Sequence, residues 1–299
     1  MTVDRHLPAA EVLRSHLAGN FATLGEQEAL VRSGDASAIH KMRIAARRLR
    51  TPLQTGQPLL VVPTDALVDE LRWLGRELGG ARDAQVLRER LRHLLSTQPP
   101  ELVMGSVDVL VDDELCAAEQ RGRAQAIEAL GGTRYARLVD GLDRLVRDLP
   151  ATEEADGPAD EVLPRLVRRE LKRLRRAVGI AEQADAGEAN DVALHVARKK
   201  AKRLRYAAEM VVPALGRPAE ELAASAKGVQ QALGEHQDTV MSRRFLRELG
   251  ARAHLDGMNG FTLGRLHAIE EARAAAAVAD FERAWGELKD KTVRTRRGG

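Results

Sequence analysis

One motif recurs at a fixed distance, and it constrains this chain more than any other feature. His40-Lys41-Met42-Arg43-Ile44-Ala45-Ala46-Arg47-Arg48-Leu49-Arg50 lies over His195-Val196-Ala197-Arg198-Lys199-Lys200-Ala201-Lys202-Arg203-Leu204-Arg205, an offset of 195 − 40 = 155. The same offset places Leu78-Gly79-Gly80-Ala81-Arg82-Asp83 over Leu233-Gly234-Glu235-His236-Gln237-Asp238. It also pairs Pro63 with Pro218, Arg72 with Lys227, Arg88 with Arg243 and Arg92 with Arg247. A register kept over about 50 residues without a gap points to an internal duplication, in which each copy is one folding unit that packs on the other.

Helix breakers divide each copy. In the first, a helical pattern begins at Pro8 and ends near Ser33-Gly34, and a second runs from Ala36 to Thr55. A third starts after Pro63-Thr64-Asp65 and continues to about Ser96. A fourth runs to Gly131-Gly132, and a shorter one reaches Leu149. Residues 151–158 are acidic, turn-rich and poor in apolar side chains, which reads as a linker. The series then restarts over about 160–183, 190–215, 218–253 and 259–288. The expectation is an all-α fold of two four-helix bundles related by a pseudo-two-fold axis. The repeats would be 1–150 and 159–290, together one domain over 5–290, followed by a basic tail at 291–299. Residues 133–149 have no evident counterpart in the second copy.

Composition agrees. Among 299 residues, 44% are hydrophobic and 30% charged, a globular balance, while only 3% are aromatic. Ala, Leu, Arg and Glu dominate and favour helix. The net charge of +3 is too small for bulk attraction to polyanions, so the clustering of charge matters more. The single cysteine, Cys116, cannot form an internal disulfide and suits a reducing compartment. No apolar run reaches the ~18 residues of a membrane span, and Met1–Ala10 lacks the pattern of a secretory signal, so a cytoplasmic protein is expected.

The repeated helix carries the chemistry. At 100° per residue Ile39, Met42, Ala46, Leu49 and Leu53 share a core-facing side. His40, Arg43 and Arg47 form a neighbouring stripe, with Arg50 at its edge. In the second copy His195, Arg198, Lys199 and Lys202 repeat the stripe, with Arg205 at the edge. Neither Lys41–Arg50 nor Arg198–Arg205 holds an acidic residue. Like charges one turn apart destabilise a helix, so something outside each helix should offset them. A solvated basic face is the plain reading of one such run. Its recurrence at matched positions favours a bound polyanion, and phosphate suits the planar fork of Arg and the mobile charge of Lys. The matched His40 and His195 can donate to phosphate from neutral rings, or serve as structural hydrogen-bonding residues.

The next helix in each copy adds Arg72, Arg76, Gly79 and Asp83 on one face, matched by Lys227, Gln231, Gly234 and Asp238. The glycines are expected to allow close helix approach. Asp83 and Asp238 are expected to orient arginines, with Arg50 and Arg205 as candidates. Arg82 and His236 sit beside these aspartates as secondary candidates.

These four motifs, in this order, resemble the CHAD family, the conserved histidine α-helical domain. The resemblance implies two four-helix bundles around a central basic surface or pore, binding of inorganic polyphosphate, and association with polyphosphate granules. The family's characteristic residues fall on His40, Arg43, Arg47, His195, Arg198 and Lys202.

No catalytic motif accompanies them. CHAD domains are often joined to CYTH domains, the triphosphate-tunnel hydrolases, but this sequence has no Glu-x-Glu-x-Lys strand motif. It has no Walker loop, Gly-x-Ser-x-Gly, His-Glu-x-x-His or zinc-type Cys/His spacing either. A binding protein without enzymatic activity, cofactor or metal is therefore expected. Two alternatives remain: a nucleic-acid binder, disfavoured by the scarcity of stacking aromatics, and a phosphohydrolase with an unrecognised metal site.

Overall fold

The computed structural model describes residues 7–35 and 37–291. The start of the domain at residue 5, the expected helix start at Ala36 and the basic tail from 292 onward lie outside the described residues. Ten α-helices make up the fold: α1 (Ala9–Arg32), α2 (Ala38–Thr55), α3 (Asp65–Glu77), α4 (Gly79–Ser96), α5 (Val107–Gly131), α6 (Thr133–Arg147), α7 (Ala159–Glu182), α8 (Glu188–Leu215), α9 (Arg217–Leu255) and α10 (Phe261–Leu288). Among the described residues there is no strand, only the isolated bridges Pro8–Pro158 and Leu60–Ala151.

One expected helix is two. The segment from Asp65 to Ser96 breaks at Leu78 into α3 and α4, whereas α9, which spans the same positions in the second half, runs unbroken for 39 residues. The break coincides with Gly79-Gly80, two adjacent residues of low helix propensity, where α9 has only Gly234. Gly80 also meets another helix closely: a Cβ on Gly122 of α5 would lie 2.3 Å from the Ala81 amide nitrogen. The close approach of helix backbones thus falls at Gly80 and Gly122, not at Gly79 or Gly234.

The linker is packed against the body. Ala9 N donates to Gly157 O (3.0 Å) and Ala159 N to Leu7 O (2.9 Å), so α1 and α7 begin side by side. Residues Glu153–Asp156 form a 3-10 turn whose Ala155 is fully buried. Helix α6 also finds its place: Tyr135, Leu138, Leu142 and Leu145 are buried, the Tyr135 hydroxyl donates to Glu28 (2.8 Å), and Arg134 pairs with Glu70 while lying 4.4 Å over the Trp73 ring. Residues 133–149 therefore cover the outer side of α1 and α3.

Two apolar cores hold the molecule, and neither stops at the linker. The larger draws Leu13, Met42, Leu49, Leu74 and Leu142 from the first half together with Leu163, Leu174, Leu204, Val211 and Val229 from the second. The smaller joins Leu91 and Leu94 of α4 and Val111 of α5 to Leu246 of α9 and Leu263 and Leu266 of α10. Between them, α4 from Asp83 to Arg90 and α9 from Gly234 to Phe245 supply no buried member to either core. This polar layer is tied by Arg90, which bridges Glu235 (2.7 Å) and the fully buried Glu270 (2.8 Å).

Helices α2 and α8 meet at the centre. Arg48 of α2 reaches Glu209 of α8 (3.2 Å), and Arg203 of α8 reaches Gln54 of α2 (3.4 Å). Position 203 is 48 + 155, and 209 is 54 + 155, so the contact reads alike from either helix, as at an isologous interface.

Candidate anion-binding site

The central cations converge where α2 and α8 cross the polar layer. Arg43 donates to Asp83 on α4, from Nη1 to Oδ1 at 2.7 Å and from Nη2 to Oδ2 at 3.5 Å. Arg198 lies within electrostatic reach of both Asp238 on α9 and Arg43. Gly79 and Gly234 open onto these two guanidinium groups: a Cβ at Gly79 would sit 3.7 Å from Arg43 Nη2, and one at Gly234 would sit 3.6 Å from Arg198 Nε. Their role is to leave room for an arginine over the helix backbone.

Arg47 and Lys202 complete the cluster. The Lys202 amine is pushed down to about 7 by burial first, then by Arg198, Arg47 and Arg43, with Asp238 opposing. Burial also lowers Arg47, next to Arg43 and Arg198. Burial raises the Asp238 carboxyl in spite of Arg198, Arg90 and Lys202. The site thus sets four partly buried cations against two carboxylates, partly buried Asp238 and exposed Asp83. Charged groups in such a place repel at greater strength than at the surface.

His40 lies near Arg43 and Arg47, and His195 near Arg198 and Lys202. Burial is the main reason each imidazole sits below its ordinary 6.5; Arg82, Arg47 and Arg43 add to it for His40. For His195 the cations are Lys199, Arg198 and Lys202, partly offset by a hydrogen bond with Gln237. Both shifts favour the neutral imidazole. Each Nδ1 is buried without a hydrogen bond in the protein, and so are Arg47 Nε and Arg198 Nε. Buried polar atoms ordinarily find partners, which marks these four as open to an outside acceptor or donor.

Other sequence-predicted residues fall at the rim or elsewhere. Arg50 is held low by burial and then by Arg72, Arg47 and Arg203, so Arg50 and Arg72 extend the cluster along α2 and α3. Exposed Arg72 also pairs with Asp69. Lys199 is exposed beside His195. Arg76 and Lys227 are exposed, Arg76 acting on Glu70, and nothing draws either into the cluster. Arg82 donates to Gln85 (2.9 Å) and lies near His40.

The expected orienting pairs need correction. Asp83 holds Arg43, not Arg50, and Asp238 lies by Arg198, not Arg205. Arg205 is instead bound within its own helix to Glu209 (2.7 Å), at 5.4 Å from the Tyr206 ring. Spacing along a helix tells which side a residue faces; it does not tell which partner across the gap lies at its height. His236 is also displaced from the site: it is buried, 3.2 Å from Asp191 at the start of α8, with Arg243 on the same carboxylate. The sequence reasoning missed Arg90, whose charge acts on Asp238, and Tyr206, which acts on Arg47 and Arg50.

The CHAD domain family matches residues 15–247. The chain belongs to that family. Two uncharacterized proteins of Mycobacterium tuberculosis, from strains CDC 1551 / Oshkosh and ATCC 25618 / H37Rv, are each 36% identical over 268 residues. The alignment covers 89% of this chain and 51% of theirs, so the chain spans about half the length of these curated relatives. The CHAD domain of the plant Ricinus communis superposes with a TM-score of 0.72 at 26% identity, covering 97% of this chain and 94% of that one. PptA from Streptomyces chartreusis shares the fold, with a TM-score of 0.76 at 24% identity over 93% of this chain and 99% of that one. No helix among the described residues is long and apolar enough to cross a membrane.

Proposed function

We propose that this CHAD domain binds inorganic polyphosphate at the centre of the molecule, through Arg43, Arg47, Arg198 and Lys202, with His40, His195, Lys199, Arg50 and Arg72 along the approach. One observation carries the reading. Cations from two helices, α2 and α8, share a partly buried site, repel one another, and keep buried Arg47 Nε, Arg198 Nε and two imidazole Nδ1 atoms without partners among the described residues. A phosphate chain supplies closely spaced acceptor oxygens and the missing negative charge. The duplicated register supports a site to which both repeats contribute equally.

The reading is one of binding without chemistry. Asp83 is engaged by Arg43 and Asp238 lies among cations, which leaves no free carboxylate pair to hold a divalent metal in this cluster. A granule address in the cytoplasm is the cellular role that fits a domain of this kind.

The test is a titration with long-chain polyphosphate, tripolyphosphate and duplex DNA at ~0.15 M salt, beside the double variant Arg43→Ala/Arg198→Ala. Tight binding of the long chain, lost in the variant, supports the proposal. Equal or tighter binding of DNA, or binding untouched by the double substitution, overturns it. Metal-dependent release of phosphate would restore the phosphohydrolase alternative.

A further inference from the structure

Helix α7 carries a second concentration of positive charge. Between Val162 and Ile180 it holds Arg165, Arg168, Arg169, Lys172, Arg173, Arg175 and Arg176 against a single carboxylate, Glu170. At 100° per residue Arg165, Arg169, Lys172 and Arg176 fall within about 60° of one another, and at ~1.5 Å per residue this stripe is roughly 16 Å long. All four are exposed. Arg165 pairs with Glu154 (2.9 Å), whereas Arg169, Lys172 and Arg176 have no ion pair among the described residues. Glu170 does not relieve them, because it is buried at 1% exposure beneath Arg173 and Arg203. A solvated helix face normally alternates signs at i, i+4.

The stripe is electrically continuous with the central cluster. Lys199 acts on His195 at one end of the site and on Lys200 beside it. Lys200 is in turn surrounded by Arg203 and Arg173, and Arg203 by Arg173 and Arg169. Cations therefore run from the α2–α8 centre, across α8, onto α7, with Glu170 buried beneath Arg173 and Arg203 on the way. The path is one-sided. Helices α1 and α7 match at an offset of 150, which sets Pro8 on Pro158 and each buried residue of α1 on a buried residue of α7; there Arg165, Arg169, Lys172 and Arg176 fall on Ser15, Gly19, Ala22 and Glu26, an exposed face with no basic residue.

We propose that the exposed face of α7, Arg169, Lys172 and Arg176, is an exit track along which a long polyphosphate chain continues after leaving the central site. This rests on the central reading and adds a length requirement to it. A short chain fills the centre alone. A long one engages both surfaces, and the second engagement is intramolecular, so it adds affinity without a new encounter. The observations favour phosphate chain over duplex DNA or an acidic membrane because the track joins the central site through Lys199, Lys200 and Arg203, a path that leads a thin chain but leaves a wide surface no role.

The experiment uses the full chain and the triple variant Arg169→Ala/Lys172→Ala/Arg176→Ala, all at exposed positions, with a thermal melt to establish folding. Long-chain polyphosphate, tripolyphosphate, duplex DNA and phosphatidylserine vesicles are titrated over a range of salt. The triple variant is expected to bind the long chain about tenfold more weakly at ~0.15 M salt and with a salt slope shallower by about two to three, in line with the number of cations removed. Its tripolyphosphate binding stays unchanged. An unaltered long-chain affinity and slope, or a loss confined to DNA or vesicles, overturns the proposal. Failure of the central reading is separate: there Arg43→Ala/Arg198→Ala leaves long-chain binding intact, whereas failure of the track alone leaves that double variant defective and the triple variant normal.

Discussion

Raising the pH from 6.5 to 8.5 should weaken polyphosphate binding by about twentyfold, and Lys202 is the reason. In the free protein its amine is held down to about 7, by burial first and then by Arg198, Arg47 and Arg43, against Asp238. It is then ~75% protonated at pH 6.5 and ~3% at pH 8.5. A bound polyanion removes the repulsion and returns the amine toward its ordinary range. Binding at pH 8.5 therefore draws a proton from solution, and the affinity falls by the ratio of protonated fractions. The other groups facing Lys202 do not reverse this. The arginines stay charged throughout. His40 and His195 are both held below their ordinary 6.5, mainly by burial, and any proton they lose as pH rises removes positive charge, which acts in the same direction. Any ionisation of Asp238 as pH rises adds negative charge and weakens binding further.

Stability of the free protein should run in the opposite direction. The folded-state amine lies below its unfolded value of 10.5, so between about 7 and 10.5 the unfolded chain binds the extra proton and stability rises with pH. Below 7 the charged amine is retained in the fold at a cost of up to about 5 kcal/mol, from ~3.5 units at 1.36 kcal/mol each. Calorimetry in two buffers of different ionisation enthalpy reads the proton uptake directly: close to one per site at pH 8.5 and about a quarter at pH 6.5. Lys202→Arg should flatten the profile while keeping affinity, and Lys202→Met should flatten it at lower affinity. Equal affinities at the two pH values with no proton uptake would refute the reasoning.

Two further predictions separate site from scaffold. Arg47→Ala should weaken polyphosphate binding about tenfold or more, because its guanidinium is partly buried with an unpartnered Nε. Arg205→Ala should change it less than threefold, because Glu209 already neutralises that side chain at 2.7 Å; isothermal titration of both variants decides between them. Gly122→Ala should destabilise the fold by about 1–3 kcal/mol, since its Cβ would meet the Gly80–Ala81 backbone as close as 2.3 Å, and the melting temperature should fall by about 3–10 °C. Gly19→Ala, with open space around its Cβ, should be neutral or gain up to ~1 kcal/mol, and the same melts provide the comparison.

Much of this was legible in the sequence because helices announce themselves locally. Pro, Gly and the apolar period place eight of the ten described helices and merge α3 with α4, and the matched stripes single out Arg43, Arg47, Arg198 and Lys202 as candidates before any fold is known. What escaped depends on contacts between helices. The break at Gly79-Gly80 looks like a tolerated interruption until Gly122 of α5 is seen pressing on it. Asp83 and Asp238 were assigned the wrong arginines because the meeting height of α2 with α4, and of α8 with α9, is a tertiary quantity. The α7 run has no counterpart in α1, so a reading guided by repetition passes over it.

The difference between scaffold and site cations also depends on where carboxylates lie. On α2 and α8, Arg48 and Arg203 reach across between the two helices and Arg205 stays on its own, and each has a carboxylate within 3.2 Å: Glu209 for Arg48 and Arg205, Glu170 for Arg203. On the neighbouring face of the same helices, Arg47, Arg198 and Lys202 make no ion pair among the described residues. A basic face kept only for solubility would spread its few acids evenly or need none. Here the acids pair with the interface side and, on the other side, with Arg43 alone, although Arg47, Arg198 and Lys202 are partly buried. The two apolar cores above and below fix the helices rigidly enough to bear that repulsion. On the proposed reading, a polyanion reaching Arg43, Arg47, Arg198 and Lys202 would meet cations already in place, and its binding would relieve their repulsion.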